Sequence, residues 1–368
     1  INRFVSTILW DNISVRPVFV ASTITDNTAS WDITPTNYYT YRGPLIEEAR
    51  TNLVPNTTIL YADYGGFQLT ITDAAATGVD GTTRAAVVTS TGTLAYMYRS
   101  QYTVTASTVY TYSFYAKLGS IVAPKIAIYD STNAAFIEAD VAYPNESTTE
   151  LTRQEITFTT PVGCVSVRLY PLRNCSISGT LILDAPQLEA GSSASSLIET
   201  TTAAVTRNAD LLTYDTANWF ADGQAGTIQV DADLVYTPDG TNTTLAMLHN
   251  NSWTNRITLY RASSNLLYSY VDVNSDFVSL GNESLVKGES ARFILGVKDY
   301  DYAFKSSGGT IGSNTTIAAV GGISELTVGG VHTGLQKANG CVLNIIYYQK
   351  RLANSVIEAN SAREYSND

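Results

Sequence analysis

The sequence predicts an all-β fold, and three observations predict it. β-Branched, aromatic and small polar residues dominate, with 24 tyrosines among 368 residues, and such side chains suit a pleated sheet. Only 15% of the residues are charged, against about a quarter in an average globular protein, and the Ala, Leu, Glu and Lys runs that build long helices are missing. Short segments alternate apolar with polar residues between turn signals, which is the period-2 signature of half-buried strands. A hydrophobic fraction of 44% is enough for packed cores, and the length asks for more than one domain.

Taken in order, residues 1–42 read as an extended N-terminal arm with a few strands. Apolar residues come in bursts (Phe4-Val5, Val18-Phe19-Val20) separated by Asp, Asn, Thr and Pro. Trp10 and Trp31 are costly to leave in water and are expected to dock, either on their own chain or as assembly contacts with a neighbour. Residues 43–202 read as a first β-sandwich. Its strand-like segments are 67–71, 110–116, 165–170 and 181–183, with turns at Asp80-Gly81 and Pro144-Asn145. Residues 191–202, rich in Ser, Ala and Thr, read as a linker or a small-residue strand leading out of that domain.

Residues 203–368 read as a second sandwich. The segment 226–234 alternates cleanly, with Ile228, Val230, Ala232 and Leu234 on one face, and Pro238-Asp239-Gly240 marks a turn. Further segments at 256–260, 266–271, 292–297, 301–304 and 341–348 follow. Ser355 and Glu358 have capping-box spacing, so a short C-terminal helix is expected to close the chain. The expected architecture is two tandem β-sandwich (jelly-roll) domains.

The net charge of −11, with no basic run, argues against nucleic acid. No apolar stretch approaches the ~20 residues of a membrane helix, so no membrane insertion is expected. The chain opens at Ile1 without a signal-peptide pattern, which leaves open a processed product or part of a longer chain. Cys164, Cys175 and Cys341 read as buried, inert thiols; a Cys164–Cys175 disulfide stays open. The only histidines, His249 and His332, lie in no triad motif and are too few for zinc. Calcium has two candidate positions, Asp299 with Asp301 and Asp231 with Asp233, and the solvated-face reading of these aspartates is preferred. No cofactor is expected.

Glycan binding is the better candidate, because sugars stack apolar C–H faces on aromatic rings while amides and carboxylates take the hydroxyls. Tyr96, Tyr98 and Tyr102 share a strand-like segment with Arg99 and Gln101. Trp253 sits beside Asn250, Asn251 and Asn255, with Tyr260, Tyr268 and Tyr270 following. Each of these rings could equally fill a sandwich face or a subunit contact.

Three stretches resemble the modular tail and structural proteins of tailed bacteriophages: residues 43–53 (GPLIEEARTNL), 112–117 (YSFYAK), and 186–191 (PQLEAG) followed by 202–210 (TAAVTRNAD). They are similar to the opening, a middle strand and the closing strand of a carbohydrate-binding-module-like sandwich. The family's aromatic and proline residues are absent from 192–201. Residues 294–304 and 343–352 resemble a hairpin and the last strand of a concanavalin A-like lectin and glucanase sandwich. The resemblance implies a non-enzymatic virion protein exposed on the particle. The favoured role is a tail fibre or receptor-binding protein that attaches to host surface glycans, and the alternative is a capsid decoration or head-fibre protein. Other virion proteins would be partners, and the chain is expected to form a homo-oligomer, with a trimer favoured. A glycan depolymerase is the remaining alternative. Glu47, Glu48 and Glu189, placed in these motifs, are its natural acids, but the flanking glutamates of a glucanase are missing around Asp231-Ala232-Asp233.

Overall fold

The computed structural model describes residues 45–217, 219–220, 225–233, 242–264, 266–284, 290–333, 335–338 and 340–361. The N-terminal arm with Trp10 and Trp31, Leu234 and the 238–240 turn lie outside the described residues. The regular secondary structure of the described residues is almost entirely strand, as the composition predicts, and the chain divides into two compact units. No helix among the described residues is long and apolar enough to cross a membrane.

The unit of residues 49–207 is a sandwich of two five-stranded antiparallel sheets. One sheet has the order Thr152–Thr159, Val109–Leu118, Thr180–Ala190, Thr83–Ser90, Leu69–Thr77. The other runs Tyr64–Phe67, Tyr96–Thr103, Ser166–Arg173, Lys125–Asp130, Ala135–Ala142. Neighbours in a sheet are often distant in sequence, as a jelly roll requires. Inward-facing residues such as Met97, Phe114, Ile126, Ile128 and Leu169 fill the space between the sheets. The segment 67–71, expected as one strand, is broken: Gln68 takes φ 53°, and the chain passes there from one sheet to the other.

The outer face of the 109–118 sheet is closed by residues 191–200, most of the 191–202 segment whose composition suggests a linker or a small-residue strand leading out of the domain. Buried Glu189 accepts hydrogen bonds from the Ser195 amide (3.0 Å), the Ser195 hydroxyl (2.5 Å) and the Gln187 side chain (2.6 Å). The Thr111 hydroxyl donates to Gly191 O, and the Arg153 guanidinium donates to Ser195 O. Ala194 and Ile198 are buried. These bonds overrule the open-chain composition of the segment, because a buried carboxylate needs donors close at hand.

The other unit comprises residues 45–48 and 208–361 and contains two six-stranded antiparallel sheets. One has the order Leu45–Ile46, Gly340–Tyr348, Gly226–Asp233, Ser290–Val297, Tyr302–Ser306, Gly312–Asn314. The other runs Leu212–Asp215, Glu325–Val328, Thr243–His249, Arg256–Arg261, Leu266–Val273, Asp276–Ser284. Val230, Leu245, Phe293, Leu295 and Phe304 belong to its core. Leu45–Ile46 pairs with Cys341 and Gly340, so the first half of the opening motif contributes a strand here, while its second half, Arg50–Asn52, pairs with Val205–Arg207 in the first sandwich. The C-terminal helix covers Asn354–Ser361. It begins before Ser355, which therefore lies inside the first turn and does not cap it. Ile357 packs with Ile294, Ala303 and Leu352.

All three cysteines are free and buried, which closes the disulfide question. The Cys164 thiol is pushed up to about 11, by burial first and then by Asp130.

Candidate functional site

With one outer face of the 49–207 unit covered, attention falls on the outer face of the 96–103 sheet. Alternation sends Met97 into the core and leaves Tyr96 and Tyr98 half-buried on the outside. Every strand of this sheet places an aromatic ring on the same side. Phe67 lies opposite Tyr96, and Phe136 lies opposite Tyr129. Tyr170 comes from the central strand. The six rings form a continuous row: Phe67 to Tyr96 5.8 Å, Tyr96 to Tyr98 6.1 Å, Tyr98 to Tyr170 5.5 Å, Tyr170 to Phe136 5.9 Å and Phe136 to Tyr129 5.0 Å between centroids. Phe67 is 49% exposed and Phe136 39%, so the row is not sealed off from solvent. Gly65 stands opposite Tyr98, and a Cβ there would meet the tyrosine ring at 2.6 Å. The glycine is what lets that ring lie across its neighbour strand.

Two arginines sit among the rings. Arg168 lies directly across from Tyr129 in the strand register. Its guanidinium is 4.4 Å from the Tyr98 centroid and 5.8 Å from that of Tyr129, and the neighbouring Tyr170 hydroxyl raises its pKa above the ordinary value. Arg173 is 4.2 Å from the Phe136 centroid and forms an ion pair with Asp140. Such contacts combine ring stacking with attraction between a cation and the ring face.

Tyr102 does not join this face. Between Arg99 and Tyr102 this strand spends three residues where its partner spends two, from Leu169 to Val167, and the extra residue turns Tyr102 into the core, 6% exposed. Burial, followed by Tyr64, raises its phenol far above the usual range; the Tyr64 phenol is pushed up to about 12. One edge of Tyr102 borders a surface cleft of about 520 Å³ whose cation, Arg99, is occupied by Asp63 and by the carbonyl of Asn56.

The second unit carries a smaller array on the 256–261 sheet. Tyr260 and Tyr268 face each other across strands and stack at 5.7 Å. Tyr270 stacks on exposed Phe277 at 5.3 Å. Arg256 bridges Tyr270 (4.7 Å) and Trp253 (4.6 Å), and Trp253 meets His332 edge-on at 4.6 Å. Trp253, Tyr260, Tyr268 and Tyr270 thus fall into two groups: a stacked tyrosine pair, and a row joined through Arg256.

Neither histidine is placed as a catalytic base. His249 is fully buried, and its Nδ1 accepts the Asn251 N–H at 2.9 Å, so Nε2 carries the proton and donates to the Thr327 hydroxyl at 2.8 Å. Burial, then His332, lowers its pKa to about 4, while burial and Arg256 lower that of His332. Glu189 is occupied as described. Of the calcium candidates, Asp231 pairs with Arg292 (2.6 Å), Asp301 pairs with Arg351 (3.0 Å), Asp233 accepts the Ser290 hydroxyl and Asp299 accepts the Ala319 N–H. No group of three potential metal-ligating side chains occurs among the described residues.

The sequence matches no family model and no curated protein. Among solved structures, the chain is similar to the CBM40 module of a Ruminococcus gnavus IT-sialidase bound to α2,3-sialyllactose, at 15% identity over 41% of this chain and 92% of that one, with a TM-score of 0.33. Sheep galectin-11 in complex with glycerol matches at 10% identity over 39% of this chain and 100% of that one, TM-score 0.28. Domains LG4-5 of the mouse laminin α1 chain match at 10% identity over 69% and 86%, TM-score 0.30. Identity and score are low in each case.

Proposed function

We propose that this chain is a non-catalytic glycan-binding protein and that the aromatic face of the 49–207 unit is its principal contact surface. The observation that carries the reading is the row of six rings, one or more from every strand of a single sheet. Packing needs alone would turn such rings inward, since each aromatic side chain buries on the order of 150–250 Å² when it can. A rigid sheet that holds rings at fixed spacing presents flat apolar faces to successive sugar C–H faces with little entropy left to lose on binding. The Trp253–Arg256–Tyr270 row of the other unit is a second, smaller surface of the same kind.

The resemblance of residues 43–53, 112–117, 186–191 and 202–210 to tailed-phage modules supports a finer reading, a virion protein on the particle surface that attaches to host glycans. Neighbouring virion proteins and further copies of the chain, a trimer in the favoured case, would be its partners. Capsid decoration is the weaker reading, because it rests on Trp10 and Trp31, which lie outside the described residues.

The test is an array of bacterial surface polysaccharides probed with the intact chain and with Tyr98→Ala. Loss of the aromatic contact is expected to weaken binding at least about tenfold, or about 1.4 kcal/mol. Undiminished binding by the variant would remove the face from the account. Labelling of particles with an antibody to the chain would place it on tail or capsid, and absence from particles would end the virion reading.

A further inference from the structure

We infer that the aromatic face of the 49–207 unit recognises a sugar acid, and that Arg168 is the residue that takes its carboxylate. The inference rests on the glycan-binding reading and names the class of sugar.

Two cations lie in the ring row, and they differ in one respect. Arg173 is neutralised by Asp140, which also accepts a hydrogen bond from Asn174. Arg168 has no carboxylate within ion-pair distance among the described residues. Its surroundings are the rings of Tyr98 and Tyr129 and the hydroxyl of Tyr170. Its Nε is buried and has no hydrogen-bond partner. A guanidinium offers five N–H donors in a fixed fork, and ring faces stacked against it leave most of them unused. The chain has 33 acidic residues against 22 basic ones, so carboxylates are plentiful. Yet none among the described residues pairs with Arg168.

A guanidinium stacked between aromatic rings is held in place and poorly hydrated, which lowers the cost of pairing it with an incoming anion. The planar fork matches a planar carboxylate in two parallel hydrogen bonds. Rings on both sides would meet the neutral sugars that flank the acid. Among the described residues Arg168 is the one cation of the ring row without a carboxylate partner, and in a chain of net charge −11 that argues against a densely charged polyanion. The ligand is therefore a mostly neutral glycan with isolated acidic units, of the uronic- or sialic-acid type.

The experiment measures binding of the intact chain to matched oligosaccharides by titration calorimetry: trigalacturonate against galactotriose, and sialyllactose against lactose. In at least one pair the acidic member is expected to bind about tenfold more tightly or better, as a charge-assisted contact provides. Arg168→Gln should bring the acidic member down to its neutral counterpart and leave the neutral one within about twofold. Arg173→Gln should reduce the preference far less. Arg168→Lys keeps the charge and the stem but not the fork, and should retain only part of the preference; it also carries the test if Arg168→Gln fails to fold. Equal binding of both members of each pair, abolished by Tyr98→Ala, would overturn the role of Arg168 while the glycan-binding face stood. Acid preference that survives Arg168→Gln would overturn it too. Failure to bind any of the four sugars would overturn both.

Discussion

Buried polar side chains join strand to loop in the 49–207 unit, on top of its apolar core. Asn52, wholly buried, accepts the Val54 and Leu188 N–H groups and donates to the Ile198 carbonyl at 3.0 Å. Glu189 likewise holds Gln187 and Ser195. Glu189→Leu orphans the Ser195 amide and leaves the Ser195 hydroxyl and the Gln187 amide with only long contacts of 3.3–3.4 Å to backbone carbonyls, so the unit should lose about 1–3 kcal/mol, read as a lower urea midpoint. At Gly65, alanine would push its Cβ against the Tyr98 ring, so Gly65→Ala should weaken glycan binding more than it lowers the thermal midpoint. His249 gives a pH dependence of definite sign. Its folded pKa, about 4, lies below the unfolded value near 6.5, so the unfolded chain binds the extra proton between those limits. Stability from this group is full at pH 7, falls as pH drops through 6.5 towards 4, and levels off below. His249→Gln should flatten that part of the urea-midpoint profile.

At the scale of elements, alternation within one strand was readable and adjacency between strands was not. Tyr96 and Tyr98 stand two apart in a visibly alternating segment, so their shared face could be inferred from period 2 alone. Phe67, Tyr129, Phe136, Tyr170 and Arg168 arrive from strands far away in sequence, and nothing local says that they meet. Tyr102 was misplaced for a related reason, since one irregularity in register reverses the facing of everything beyond it. Composition misled at 191–200, where small polar residues read as linker but serve as hydrogen-bond partners for a buried carboxylate. The terminal helix shows the balance between local and tertiary forces. Eight residues are too few to hold a helix alone in water, so its stability comes from Ile357 docking on Ile294 and Ala303. Ile357→Ala should cost about 2–5 kcal/mol, with loss of the helix visible as faster amide exchange over 354–361.

For the whole molecule, the two units have separate apolar cores, one around Met97, Phe114 and Leu169 and the other around Val230, Phe293 and Phe304. Separate cores unfold as separate cooperative blocks, so scanning calorimetry should resolve two transitions. Ile357→Ala should move one of them and leave the other in place, and Glu189→Leu should do the reverse. A single transition displaced as a whole by either variant would mean that the units melt together. The ring row has an optical consequence as well. Residues 49–207 contain no tryptophan, and six phenol and phenyl chromophores lie within about 6 Å of one another along the row. Their coupled transitions give that half of the chain its own near-ultraviolet ellipticity, free of indole signal. A saccharide laid across the rings would alter that band directly, so docking could be followed without a label.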